Sequence, residues 1–252
     1  MDKLKSRVLT ALARQFPDRS FAYDKLTVMH KGRFANAIVF RYCDDGLDLV
    51  IKDFSHCPLP VRWTAGRFFI GREAKALGRL GGIKGVAASY YRLSPLMLAY
   101  PFIAGQPLRS LTRSGETLPR GFFESLEKMV GQMHRRGVVH LDLRNLGNVL
   151  RGDDGQPYFI DFQSSMRFGP FPRWVQTFMR GADLSGVYKA WRALCDEPLP
   201  ARKGRFFDNF AQVRKRWIFK GYPLTRTANR MKLLSTQLAS GELLRNFLER
   251  FF

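Results

Sequence analysis

His140-Leu141-Asp142-Leu143-Arg144, then Asn148-Val149-Leu150, then Ile160-Asp161-Phe162-Gln163 decide how this chain is read. Short β-forming runs border these polar groups at Val138-Val139, Asn148-Val149-Leu150 and Tyr158-Phe159-Ile160, which puts the polar side chains on loops at strand ends. The residue types form a chemical set. Phosphoryl transfer from ATP needs a carboxylate near the acceptor hydroxyl, a carboxylate and an amide to hold Mg²⁺ on the phosphates, and a cation on those phosphates. All of these types lie within this stretch.

Outward from it, hydropathy divides the chain. Ala37–Tyr42 and Leu47–Phe54, joined by Asp44-Asp45-Gly46, read as a β-hairpin. Pro58 and Pro60 interrupt, and Phe68–Leu80 has helical spacing stopped by Gly81-Gly82. Val86–Tyr91 and Leu96–Phe102 read as two further strands. Phe122–Arg136 is an amphipathic helix with Phe122, Phe123, Leu126, Met129, Val130 and Met133 on one side, ended by Gly137. From about Pro172 the chain is mostly helical, basic and aromatic. A β-rich first half and a helical second half give an α+β class with two lobes, residues 1–104 and 105–252, and a cleft between them.

The stretch resembles the protein-kinase-like superfamily, with its catalytic loop H-x-D-L-x-x-x-N and metal motif D-F-G. The resemblance implies a two-lobed kinase-like fold and ATP and Mg²⁺ as cofactors. It makes Asp142 the catalytic base, Asn148 and Asp161 the Mg²⁺ ligands, His140 a scaffold, and Arg144 a charge aimed at the transferring phosphate. Two departures stand out: Asn148 lies six residues after Asp142 where five is common, and Gln163 replaces the glycine of the metal motif. Asn145 competes with Asn148 for the amide role.

Upstream residues extend the resemblance over roughly residues 25–165. Val50-Ile51-Lys52 resembles the V-A-I-K strand, and Glu73 lies on the next helix; together they imply an ion pair that presents Lys52 to the α/β-phosphates. Leu96–Gly105 resembles the strand and hinge that hold adenine, with Ala99, Tyr100 and Phe102 as the contacts. Of the glycine-rich loop only Gly32 remains, within Met29–Ala37, flanked by Lys31 and Arg33. A pseudokinase that binds nucleotide without transferring phosphate would carry the same loop.

No Ala-Pro-Glu segment follows Asp161, which fits small atypical kinases. The nearest in kind are the lipopolysaccharide-core (Kdo and heptose) kinase family and then the RIO-type kinases; Asp183–Tyr188 is similar to a helix that follows the metal motif in several of them. Charge helps choose an acceptor. The chain has 42 Lys+Arg against 21 Asp+Glu, a net charge of +21. From Phe162 onward, 17 Lys+Arg face 6 Asp+Glu, with aromatics interleaved, as in Arg214-Lys215-Arg216-Trp217-Ile218-Phe219-Lys220-Gly221-Tyr222. An anionic acceptor follows, a phosphorylated glycolipid or a protein, with an anionic membrane surface as a further partner of these C-terminal helices. Nucleic acid stays open as another anion, although no nucleic-acid-binding motif is present. A cationic aminoglycoside acceptor is disfavoured.

Other classes lack support. With 45% hydrophobic residues the chain can bury a core, so global disorder is excluded. Cys43, Cys57 and Cys195 form neither a disulfide framework nor a zinc pattern, which suits a reduced compartment. His30, His56 and His134 read as surface or packing histidines, and Cys57 beside His56 is not a nucleophile dyad, because adjacent residues on a strand point to opposite faces. No G-x-S-x-G is present. Gly85–Gly105 contains Arg92, Pro95 and Pro101 and is rejected as a membrane span. Leu4, Val8, Ala11 and Leu12 make the first helix amphipathic and basic, packed on its own domain or touching a membrane surface. A cytoplasmic chain, peripheral to the inner membrane at most, is expected.

Overall fold

The computed structural model describes residues 1–32 and 36–216. Its first half runs α1 (Asp2–Gln15), β1 (Leu26–His30), β2 (Ile38–Asp44), β3 (Leu47–Asp53), α2 (Leu59–Val61), a π turn Arg62–Gly66, α3 (Arg67–Leu80), β4 (Tyr91–Ser94) and β5 (Met97–Pro101). The second half runs β6 (Gly105–Pro107), α4 (Leu108–Ser114), α5 (Arg120–Arg135), β7 (Val138–Val139), β8 (Val149–Gly152), β9 (Pro157–Phe159), β10 (Met166–Arg167), α6 (Arg173–Leu194) and α7 (Ala201–Arg216). The class is α+β.

The Asp-Gly hairpin seeds the main sheet. β2 and β3 pair from Asp44↔Leu47 to Ile38↔Asp53, and the Gly46 amide donates to Asp44 Oδ1 at 3.0 Å across the turn. β1 and β5 then join on either side, giving an antiparallel sheet of order β1-β2-β3-β5-β4. One expected strand is displaced: 86–90 pairs with no strand, and β4 begins only at Tyr91. Gly85 has φ +87° and its carbonyl accepts from Phe159 N at 2.7 Å, which bends the chain; Val86 and Ala87 are buried as a packed loop instead. Apolar side chains in a run do not reveal whether a strand or a covered loop buries them.

Both faces of the sheet are covered. Leu49 and Ile51 of β3, with Phe40, Met97 and Ala99, pack beneath Val8 and Leu12 of α1. Val50, Phe54, Leu98 and Tyr100 point the other way, into the cluster formed with α3, α5 and α6. The amphipathic first helix therefore spends its apolar stripe on its own sheet. Val8 and Leu12 are fully buried, each worth about 1.5–3 kcal/mol by area.

The second half is built around α5, whose six expected apolar residues are all buried. Trp191 of α6 is fully buried and stacks on Phe123 at 5.5 Å between ring centroids. Two small sheets, β6-β8-β9 and β10-β7, brace the loops between them. The chain divides into compact units Met1–Phe207 and Asp208–Phe252. Of the basic aromatic run, Trp217 to Tyr222 lie outside the described residues, as do Arg33, Phe34 and Ala35 of the expected phosphate loop. Among the described residues, no helix is long and apolar enough to cross a membrane.

If α1 is an integral cover of the sheet, Leu12→Ala should lower stability in urea unfolding by about 2–5 kcal/mol. A loss below about 1 kcal/mol would mean that the helix rests loosely.

Candidate functional site

The site is assembled around one buried amine. Lys52 lies on β3 two residues after Val50, so strand alternation aims it into the inner cluster. Glu73 shares the inward face of α3 with Ile70 and Leu77, at helical spacing. Lys52 Nζ donates to Glu73 Oε1 at 2.8 Å and Oε2 at 3.0 Å, and to Asp161 Oδ1 at 2.9 Å. The Phe162 amide donates to Glu73 Oε1 at 3.3 Å, tying α3 to the segment after β9. Asp161 adopts φ +63°, a left-handed backbone rare for a residue with a Cβ and costing about 1–3 kcal/mol.

Burial alone would lower the Lys52 ammonium, but Asp161 and Glu73 outweigh it and hold its pKa well above the ordinary lysine range. The two carboxylates respond in opposite directions. Burial raises Glu73, and Lys52 offsets only part of that. Burial also works to raise Asp161, yet the Lys52 charge and hydrogen bond prevail and leave it below the usual carboxylate range. Exposure separates them: the Glu73 side chain is 1% exposed and that of Asp161 38%.

The second part is the loop from His140 to Asn148. Asn148 Nδ2 donates to Asp142 Oδ2 at 2.8 Å and to the Asp142 carbonyl at 3.2 Å. Asn145 Nδ2 reaches Asn148 Oδ1 at 3.3 Å, while its own Oδ1 accepts from Gly147 N and from Arg109. His140 is fully buried; its Nε2 lies 3.1 Å from the Ile160 carbonyl and its ring 4.7 Å from that of Phe162. So Asp142 and Asp161 are linked through His140 and the backbone at Ile160.

Arg144 takes a different place from the one expected. Its Nη1 donates to Ser185 O at 3.3 Å and Oγ at 3.2 Å, and its guanidinium lies 5.5 Å over the Phe207 ring. Gly186 makes this approach possible, since a Cβ there would lie 2.6 Å from the Leu143 carbonyl carbon. Arg144 thus straps the loop to α6. Ala99 and Tyr100 are interior positions of β5, paired with Ile51 and Val50 of β3. Ala99 faces the α1 side, whereas the Tyr100 ring lies 5.8 Å from Lys52 Nζ. Phe102 follows the strand; its amide donates to Asp48 O at 2.9 Å and its ring lies 3.7 Å under Arg41. Gly32 sits between β1 and β2, where a Cβ would fall 2.2 Å from the Asn36 carbonyl oxygen.

Three residues matter more than their sequence context suggests. Asp183, fully buried on α6, accepts from His140 N at 2.9 Å and Leu141 N at 2.7 Å. His134 Nε2 lies 3.0 Å from the same carboxylate, so it belongs to this network rather than to the surface. Arg72 of α3 donates to the carbonyls of Ser164 at 2.6 Å and Ser165 at 2.7 Å, clamping the segment beyond Asp161. Asp183 opens the Asp183–Tyr188 stretch that the family resemblance singles out, but its bonds to the two amides, like those of an arginine that reads backbone carbonyls, leave no local pattern. His56 and Cys57 also correct an expectation: they sit in a turn rather than a strand, with Sγ 3.8 Å from His56 Nε2. Burial pushes the Cys57 thiol up, which disfavours the reactive thiolate.

Among the described residues, no three His, Cys, Asp or Glu side chains converge as a metal cage. Asp161 and Asn148 offer hard oxygen donors, which suits Mg²⁺ of the kind that keeps waters and substrate phosphates in its shell. No protein-family model matches the chain, and no curated protein matches it.

Two outcomes test this network. Asp183→Ala strands two buried amides and should cost about 3 kcal/mol in urea unfolding, at about 1–3 kcal/mol per orphaned group; a loss under about 1 kcal/mol would show that the loop holds itself. A carboxylate lowered in the folded state contributes stability above its unfolded pKa of about 4, and that stability is lost as pH falls through the lower folded value. Asp161→Asn should therefore flatten the fall in melting temperature below about pH 4. An unchanged acid limb would remove Asp161 from the ion pair in solution.

Proposed function

We propose that this chain is an ATP- and Mg²⁺-dependent phosphotransferase with a protein-kinase-like, two-lobed arrangement, acting on a hydroxyl acceptor. The observation that carries it is the buried Lys52–Glu73 pair joined to Asp161, with the Asp142–Asn148 pair one backbone link away. A structural ion pair needs one carboxylate. Here the second carboxylate is partly exposed and sits in a strained backbone, which suits a site over a purely structural bridge.

In this reading Lys52, held by Glu73, binds phosphate oxygens, and Asp142 accepts the proton of the acceptor hydroxyl. Asn148 orients Asp142 through its amide nitrogen, and its oxygen, which accepts from Asn145 Nδ2, would serve as the amide ligand to the cation. Asn145 suits that role less, because its oxygen already caps the turn at Gly147 and accepts from Arg109. Mg²⁺, when bound to Asp161 and Asn148, supplies charge that offsets the phosphates. Arg144 positions the loop against α6. Adenine would be held by backbone beyond β5, at the Phe102 carbonyl and after, since Ala99 and Tyr100 are committed to strand pairing and the Phe102 amide to Asp48 O. The acceptor that fits best is a phosphorylated sugar of a glycolipid such as the lipopolysaccharide core, because a net charge of +21 favours an anionic partner.

ATP with Mg²⁺ should raise the melting temperature of the wild type and raise that of Asp161→Ala far less. Transfer of labelled γ-phosphate, measured against lipopolysaccharide core, a casein-like protein and RNA in parallel, should favour the glycolipid. Asp142→Ala should reduce it by about 100-fold or more. A thermal shift without transfer to any acceptor would favour a nucleotide-binding module. Transfer to protein alone would favour a RIO-like protein kinase, and no shift would end the nucleotide reading.

A further inference from the structure

Two stretches carry arginines without any acidic residue. Phe54 to Arg72 contains Arg62, Arg67 and Arg72, and Phe162 to Ala182 contains Arg167, Arg173 and Arg180. Each opens a helical segment with the same device, Pro58-Leu59-Pro60-Val61-Arg62-Trp63 in one and Pro170-Phe171-Pro172-Arg173-Trp174 in the other. These openings hold the four most exposed large apolar side chains among the described residues or lie beside them: Trp174 66%, Trp63 64%, Leu59 61% and Phe68 56%. Scattered exposed apolar groups need no explanation, but here they are concentrated in two matched places.

Local geometry supports a shared purpose. Trp63 and Phe68 are five residues apart, which a straight α-helix would set on well-separated sides, at about 100° per residue. Trp63 lies within the π turn Arg62–Gly66, whose wider i→i+5 spacing sets Phe68 nearer the Trp63 side than a straight α-helix would. Arg67 lies 4.6 Å over the Trp63 ring, a cation–π contact at an exposed position. The two stretches are joined at Arg72, which donates to the carbonyls of Ser164 and Ser165.

We propose that Leu59, Trp63 and Phe68 on one tip, and Phe171 and Trp174 on the other, dock this chain on an anionic lipid surface. Tryptophan beside arginine suits the bilayer interface, where the ring sits at headgroup depth and the guanidinium meets phosphate. The absence of acid in both stretches supplies charge complementarity with such a surface. A fluid bilayer can meet two separate tips at once, whereas a folded acidic partner would have to match both. The inference does not depend on phosphoryl transfer. It places the membrane contact beside the helix that carries Glu73, and α1, committed to the sheet, is not needed for it.

The full chain is tested by sedimentation with vesicles of phosphatidylcholine alone and with phosphatidylglycerol added. Binding is expected only with phosphatidylglycerol. Trp63→Ser/Trp174→Ser should weaken it by about tenfold or more, at an unchanged melting temperature and circular dichroism spectrum. Brominated acyl chains should quench wild-type tryptophan emission, and Trp63→Phe/Trp174→Phe should lose that quenching. Wild type that ignores phosphatidylglycerol would overturn the proposal, as would variants that bind and quench like wild type. So would a vesicle-independent dimer that the serine variant dissolves. The ATP-induced thermal shift should persist in the serine variant, so vesicle binding and nucleotide binding can fail separately.

Discussion

One ammonium group organises the molecule. Lys52 is 5% exposed, and a lone charge at that depth would be expelled or neutralised. It stays charged because Glu73 arrives from α3 and Asp161 from the turn after β9. Each partner comes from a different part of the chain, so the amine can be satisfied only when the sheet, α3 and the β9 turn are all in place. Such a buried triad is weak evidence for stability in itself, since its desolvation cost rivals its attraction. Its effect is to specify one arrangement, because loss of either carboxylate leaves the amine underpaired.

The loop beside it is held by a different economy, of backbone rather than charge. Leu141 adopts φ +66°, and the amides of His140 and Leu141 both point at the Asp183 carboxylate. Gly186, three residues along α6, lets that helix come close enough to receive them. Asp142 is thus aimed by a strained residue that a buried anion keeps in place. Arg72 does the matching task on the far side, fixing the carbonyls just beyond Asp161.

The hairpin, α3, α5 and the loop residues are legible because local rules decide them: an Asp-Gly turn, helical spacing, polar groups at strand ends. The meeting of Lys52 with Glu73 is legible as well, from alternation on a strand and spacing on a helix. Val86 and Ala87 mislead, since a buried loop and a strand place the same apolar residues inside. Arg144 misleads for another reason: its direction is set by Ser185 and Gly186, some forty residues away, and no local rule encodes that. The contact of Asp183 with His134 is hidden similarly, made by two helices that the sequence keeps apart. His56 and Cys57 differ because proline-rich chain after β3 forms a turn, so strand alternation does not apply to them.

The position of α1 in the chain has a consequence for synthesis. A nascent chain emerges N-terminus first, at about 5–20 residues per second. The stripe of Val8 and Leu12 is therefore made before Met97 and Ala99, part of the surface that covers it, which come last among the strands of the sheet. For several seconds the ribosome displays a basic segment whose apolar stripe those residues do not yet cover. During that interval the growing polypeptide offers a surface to chaperones that the finished molecule no longer has.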